Sequence, residues 1–146
     1  MIIPSSRLCL QAGLDNLGQF MGFATERLTT SAPEMAAMAL SAKLELVLEE
    51  LLVNVINHAY KDAEGDVEVV CLECDTEAEP FRFCMEIRDQ GPPFDPSAKE
   101  SPDTAASMDE RSIGGLGIHL VREMTEDFTY RREGNCNITH FCPRHP

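Results

Sequence analysis

Apolar residues recur at helical spacing in three stretches of the chain and alternate in several others. Leu44, Leu48, Leu51 and Val55 form one stripe at three- and four-residue spacing, the pattern a core-facing helix requires. Leu14, Leu17, Phe20, Met21, Ala24 and Leu28 form another, which predicts an earlier helix ending near Thr29. Between them Ser31-Ala32-Pro33-Glu34 has capping-box spacing, and proline is tolerated in a first helical turn. A long second helix is therefore predicted from there to about Tyr60, with Ser41 as the place where it would bend. Ile113, Leu116, Leu120 and Met124 predict a third helix, opened by Gly114-Gly115-Leu116-Gly117.

Alternation marks the strands. In Phe81–Asp89, the clearest, Phe81, Phe83, Met85 and Ile87 alternate with Arg82, Cys84, Glu86 and Arg88. Residues about 7–12, Val67–Cys74, Phe128–Arg132 and Asn137–Phe141 read as further strands. Turns are predicted at Lys61–Asp66, in the acidic stretch Asp75–Pro80, at Gln90–Pro96 and at Glu133-Gly134-Asn135. The order is strand, two helices, two strands, a polar loop over about 97–111, a helix and two strands. Hairpin-joined strands with grouped helices predict an α+β two-layer sandwich, in which a mixed, mostly antiparallel sheet carries helices on one face. At 146 residues, with no internal repeat, the chain reads as one domain with room for a real core.

Some polar positions interrupt the pattern. Glu50, Asn54 and Asn57 form a polar stripe in an otherwise apolar helix, and residues four apart point the same way. Such a stripe is either a solvated helix face or a site where a magnesium ion and ordered water satisfy buried oxygens. Asp89 falls at the end of the apolar face of its strand, so either the strand has ended or the carboxylate awaits a donor such as a ligand. The glycines at 114, 115 and 117 serve either close helix packing or the approach of a phosphate to a helix N-terminus. They follow a polar loop rather than a strand, and no Gly-Lys-Ser/Thr follows, so neither a dinucleotide fingerprint nor a P-loop is present.

The net charge of −13 excludes a general nucleic-acid or anionic-membrane binder, since both need a basic face. It leaves room for an anionic ligand held by backbone amides and a metal. No stretch reads as a signal peptide or approaches the roughly 20 apolar residues that span a bilayer, so a cytoplasmic protein is expected. Of the six cysteines, Cys71 and Cys74 have CxxC spacing, and His140 and Cys142 lie near the end. They sit in apolar and β-branched runs without knuckle glycines, so they are read as small buried thiols in a reducing compartment rather than as zinc ligands.

Taken together in this order, three segments resemble the GHKL (Bergerat-fold) ATP-binding superfamily and, more narrowly, its anti-sigma regulatory factors, which are serine/threonine kinases. Glu50-x-x-x-Asn54-x-x-x-His58-Ala59-Tyr60 is similar to the family's N box, Asp89-Gln90-Gly91-Pro92-Pro93-Phe94-Asp95 to its first glycine box, and Gly115-Leu116-Gly117 to its second. Tyr130–Asn135 looks like its closing hairpin, so the resemblance covers nearly the whole chain. It implies ATP and Mg2+ as cofactors, with the amide oxygen of Asn54 on the metal. Glu50 would be the general base for an attacking serine hydroxyl, and Asp89 the acceptor for the adenine amine, with Gly91 admitting the base. Gly114, Gly115, Leu116 and Gly117 would place backbone amides on the phosphates, with Asn57, His58 and Arg111 as further contacts and residues 95–111 as the ATP lid. Implied partners are a STAS-domain anti-anti-sigma substrate, a sigma factor and a second copy of the chain in a homodimer. One departure stands at Pro93, where the wider superfamily carries a glycine; a Pro-Pro pair stiffens the entry to the lid. A non-catalytic ATP-binding switch shares Asn54, Asp89 and the glycines and parts from the kinase at Glu50. The ATPase domain of a sensor histidine kinase ranks lower, because no phosphoacceptor helix is expected ahead of the first strand.

Overall fold

The structure is a computed structural model that describes residues 1–60, 64–96 and 116–146. The predicted order of elements holds. Strands β1 (Ile2–Ile3) and β2 (Ser6–Gln11) precede helices α1 (Leu17–Ser31) and α2 (Glu34–His58). Then come β3 (Asp66–Cys71), β4 (Cys74–Asp75), β5 (Met85–Asp89), α3 (Leu116–Met124), β6 (Thr125–Glu133) and β7 (Cys136–Pro143). The main sheet has five strands in the order β2-β3-β5-β7-β6, and each neighbouring pair is antiparallel. This is the α+β two-layer arrangement expected from the sequence, with the described helices packed on one face of the sheet.

Its core is the face on which the two periodicities meet. Alternation turns Val67, Val69, Met85, Ile87 and Phe141 inward, where they join Phe20, Ala24 and Leu28 of α1 and Leu40, Leu44, Leu48 and Leu51 of α2 in one cluster. Each such leucine, fully buried, contributes about 1.5–3 kcal/mol. Among the described residues the opposite face of the sheet carries no helix. There Glu86 is nonetheless 5% exposed, because Arg88 and Arg131 cover it. Burial works against its charge, but hydrogen bonds from Arg88 and Arg131 outweigh that and hold the carboxyl below its ordinary value.

Several expectations are corrected. The capping box does not form: Ser31 is the last residue of α1, and α2 begins after Pro33 with no side-chain cap. The predicted strand over 67–74 breaks at Leu72-Glu73, because Cys74-Asp75 turn away to pair with Ile2-Ile3. Phe81 and Phe83 are buried as their alternation requires, but regular pairing begins only at Met85. On α3 Ile118 and Val121 are buried and Met124 packs against the core as predicted, while Leu120 of the predicted stripe is exposed, so the buried face is turned toward Ile118 and Val121. The reason is that α3 packs against α2 as well as β6, which selects the side on which Gly117, Ile118 and Val121 lie. Cys84 and Cys142 are joined in a disulfide, and Cys9 is exposed, so the six cysteines are not uniformly buried thiols. The predicted lid, apart from Asp95 and Pro96, lies outside the described residues.

Candidate functional site

Asn54 lies one turn beyond Glu50 on the inward side of α2 and is 7% exposed. Its Nδ2 makes no hydrogen bond among the described residues. An orphaned buried amide costs about 1–3 kcal/mol, so the position is one that a ligand or water completes. Glu50 is half-buried and turned toward the start of α3: a Cβ on Gly117 would fall 2.1 Å from Glu50 Oε2. Glycine leaves room for the first described turn of α3 to come this near the carboxylate, since a side chain there would displace the end of Glu50.

Asp89 ends β5 in a row that crosses the sheet from Leu10 through Val67 and Asp89 to Asn137 and Arg132. It is 7% exposed, so the alternation had not ended in a solvated turn. Its Oδ1 accepts hydrogen bonds from the Gly91 backbone N–H and from Asn137 Nδ2, both at 2.9 Å. Its Oδ2 accepts none among the described residues. The closing hairpin braces this corner. Asn137 Nδ2 also donates to the Pro92 carbonyl at 2.9 Å, while its Oδ1 accepts from the Tyr130 hydroxyl at 2.6 Å and from Arg132 Nη1 at 2.9 Å. Arg132 Nη1 also donates to the Gly91 carbonyl at 2.8 Å.

The end of α2 grips the corner from the other side. A Cβ on Gly91 would lie 2.7 Å from both the Cβ and the carbonyl oxygen of Ala59, so this contact too requires glycine. The Gln90 N–H donates to the Tyr60 hydroxyl oxygen at 2.7 Å, and that hydroxyl donates to the Asp66 carbonyl at 2.8 Å. Hence Ala59 and Tyr60 are positioning residues that dock the N-box segment against the first glycine-box segment.

Between α2 and the sheet a narrow pocket joins these groups. Leu51, Val55, Ile87, Phe94 and Pro96 supply apolar walls, and Asn54, Asp89 and Thr139 supply polar atoms. Apolar walls with a few convergent polar groups suit a flat heteroaromatic ligand. A larger concavity of about 900 Å³ opens at one end of the sheet, but among the described residues Glu64, Asp66, Glu68 and Asp89 line it against the single cation Arg88. That charge repels a polyphosphate, so size does not decide between the two.

Thr139 and Asn137 escaped the sequence reading, although both lie on the inward-facing alternation of β7 and are buried. A polar side chain at an inward position of a strand was the available signal; which strand would lie beside β5 was not. Asn54 and Asp89 line one pocket, Gly91 braces Asp89 without lining it, and Glu50 meets Gly117. Leu116 opens α3. His58 stacks on Phe94 with ring centroids 5.3 Å apart, while Asn57 is exposed and does not line the pocket. Arg111, Gly114 and Gly115 lie outside the described residues.

The donor set fits magnesium and ATP. Asn54 and Glu50 offer hard oxygens on one helix face, and Asp89 Oδ2 is an acceptor at the end of an apolar slot. Among the described residues no helix is long and apolar enough to cross a membrane. The chain is 30% identical over 94 residues to the serine/threonine-protein kinase BtrW of Bordetella bronchiseptica, a match spanning 64% of this chain and 63% of that protein, less than two thirds of its length. Residues 10–142, which run from β2 to β7 and include every box described above, match the histidine kinase-like ATPase domain, and the chain belongs to that family.

Proposed function

We propose that this chain is a cytoplasmic ATP-dependent serine/threonine protein kinase of the anti-sigma type, which phosphorylates a STAS-domain anti-anti-sigma partner and sequesters a sigma factor. The observation that carries the reading is the pairing of a narrow, apolar-walled pocket ending at Asp89 with Glu50 beside the first described turn of α3. The similarity to a protein named as a serine/threonine kinase supports it.

Asp89 Oδ2 accepts the adenine exocyclic amine, and Leu51, Val55, Ile87 and Phe94 enclose the ring. Asn54 would hold magnesium through its amide oxygen, and the ion would supply positive charge against the phosphates. The α3 N-terminus directs backbone N–H groups at the phosphate oxygens. Glu50 orients the substrate hydroxyl and takes its proton as the serine oxygen bonds to the γ-phosphorus and ADP departs. Phosphoryl transfer asks chiefly for positioning and charge neutralisation, which these groups provide.

A Glu50→Gln protein separates the kinase from a non-catalytic ATP switch. It should bind magnesium-ATP like the native chain in titration calorimetry, yet transfer no labelled phosphate to the partner that co-purifies. Transfer at the native rate would remove Glu50 from the reaction, and binding without transfer in the native chain would leave the switch.

A further inference from the structure

The ends of β5 and β7 remote from Asp89 carry a second cluster of reactive side chains. Met85 pairs with Phe141, so Cys84 and Cys142 stand opposite each other, with Cα atoms 4.2 Å apart, and are joined across 58 residues of chain. His140 lies two residues before Cys142 and therefore on the same helix-free face. One ligand atom from each of Cys84, His140 and Cys142 lies within 4.8 Å of the other two.

The surroundings of His140 indicate which nitrogen is available. Its Nδ1 is 2.9 Å from the Asp127 carbonyl oxygen. A carbonyl can only accept, so Nδ1 carries the proton and Nε2 keeps its lone pair. Metal-binding histidines are oriented by this same kind of outer hydrogen bond. Arg82 Nη2 lies 3.4 Å from Cys142 Sγ and is itself paired with Asp127, so it borders the cluster without occupying it. Glu86, in register with His140, is not available as a ligand, because Arg88 engages one of its oxygens and Arg131 the other. The CxxC pair does not compete. Cys71 and Cys74 are buried, and burial pushes the Cys71 thiol up to about 12.

We propose that reduction of the Cys84–Cys142 disulfide opens a zinc site made by Cys84, Cys142 and His140, with water as the fourth ligand. Two thiolates and an imidazole suit zinc better than harder cations. Zinc–ligand bonds of about 2.0–2.3 Å hold tetrahedral ligand atoms about 3.5–4 Å apart, so on reduction the two sulfurs separate while the imidazole nitrogen, already within 4.8 Å of both, comes slightly closer. A small-molecule dithiol supplies the two electrons and two protons, becoming a cyclic disulfide as the protein's S–S bond becomes two thiols. Zinc then displaces those two protons to solvent.

Cobalt(II) tests this on the full chain, since its thiolate charge-transfer band and tetrahedral absorption report ligand type directly. The reduced native protein, freed of reductant without air, should bind one equivalent with both features and release it to zinc. The oxidised protein should show neither. Cys84→Ser should abolish the charge-transfer signature of a two-thiolate site, and His140→Gln should weaken binding by an order of magnitude or more. Cys71→Ser and Cys136→Ser should bind as the native chain does. Because Cys142 is buried in β7, the test rests on Cys84 and His140, which are only partly buried, with circular dichroism confirming that each variant folds. A reduced native protein without the band, a band unaffected by Cys84→Ser, or one lost with Cys71→Ser would each overturn the site.

Discussion

Two carboxylates three residues apart on β5 are both nearly inaccessible, Glu86 at 5% and Asp89 at 7% exposure. Odd spacing on a strand sends them to opposite faces of the sheet. Glu86 lies on the helix-free face with Arg88 Nη2 2.6 Å from one oxygen and Arg131 Nη1 3.0 Å from the other. Asp89 lies toward the helices, where neutral amides hold Oδ1 and no described group holds Oδ2. A carboxylate with charge partners on both oxygens is matched by the protein itself and contributes to stability. One held on a single oxygen, at the end of an apolar pocket, is matched only when something binds. The contrast separates a structural acid from the acid proposed to bind the nucleotide within one strand.

The largest expected effect comes from removing the proposed binding acid. Asp89→Ala should weaken magnesium-ATP by about 2–3 kcal/mol, near a hundredfold in Kd, because both its bracing and its ligand-facing oxygens go. Calorimetry checks this, and unchanged affinity would place Asp89 with Glu86. Glu86→Gln should do the reverse, costing about 2 kcal/mol of stability while leaving ATP affinity intact; both arginines are partly hydrated, so the loss stays below that of a fully buried pair. Its pH dependence has a definite sign. Since folding lowers the Glu86 pKa, its contribution is present above the ordinary value of 4.5 and is lost as pH falls through the folded value. Thermal melts of native and Glu86→Gln chains should therefore differ at neutral pH and converge in acid.

Smaller changes sharpen the same distinction. Gly117→Ala drives a methyl group against Glu50 Oε2, the mobile end of a side chain that can yield. The cost of about 1–2 kcal/mol should appear in the phosphotransfer rate, with little change in melting temperature. Thr139→Val keeps the shape of the pocket and removes a hydroxyl. It should cost about 0.5–1.5 kcal/mol in nucleotide binding, a several-fold rise in Kd.

How much of this was legible depends on the range of the signal. The α2 stripe buried Leu44, Leu48 and Leu51 as its periodicity required, and alternation along 81–89 placed Asp89 on the inward face. Both patterns are local, since they repeat within a few residues. The face of α3 was partly misread because a helix of nine residues has too few turns to define a stripe unaided, and its contacts with α2 chose Ile118 and Val121. Asn137 and Thr139 were missed for a related reason. Alternation says that they point inward, but their closeness to Asp89 and Ile87 exists only once β7 lies beside β5.

By itself the sequence determined the helices, the inward face of β5, and the three boxes that mark the ATPase family, because periodicity and turn chemistry act over short chain distances. Tertiary structure alone decided that Asn137 and Arg132 brace the Asp89 corner, that Glu50 touches Gly117, and that Cys84 meets Cys142. These contacts join residues tens of positions apart through strand pairing and helix packing. Which partners meet there is set by the collective burial of the core rather than by any local preference.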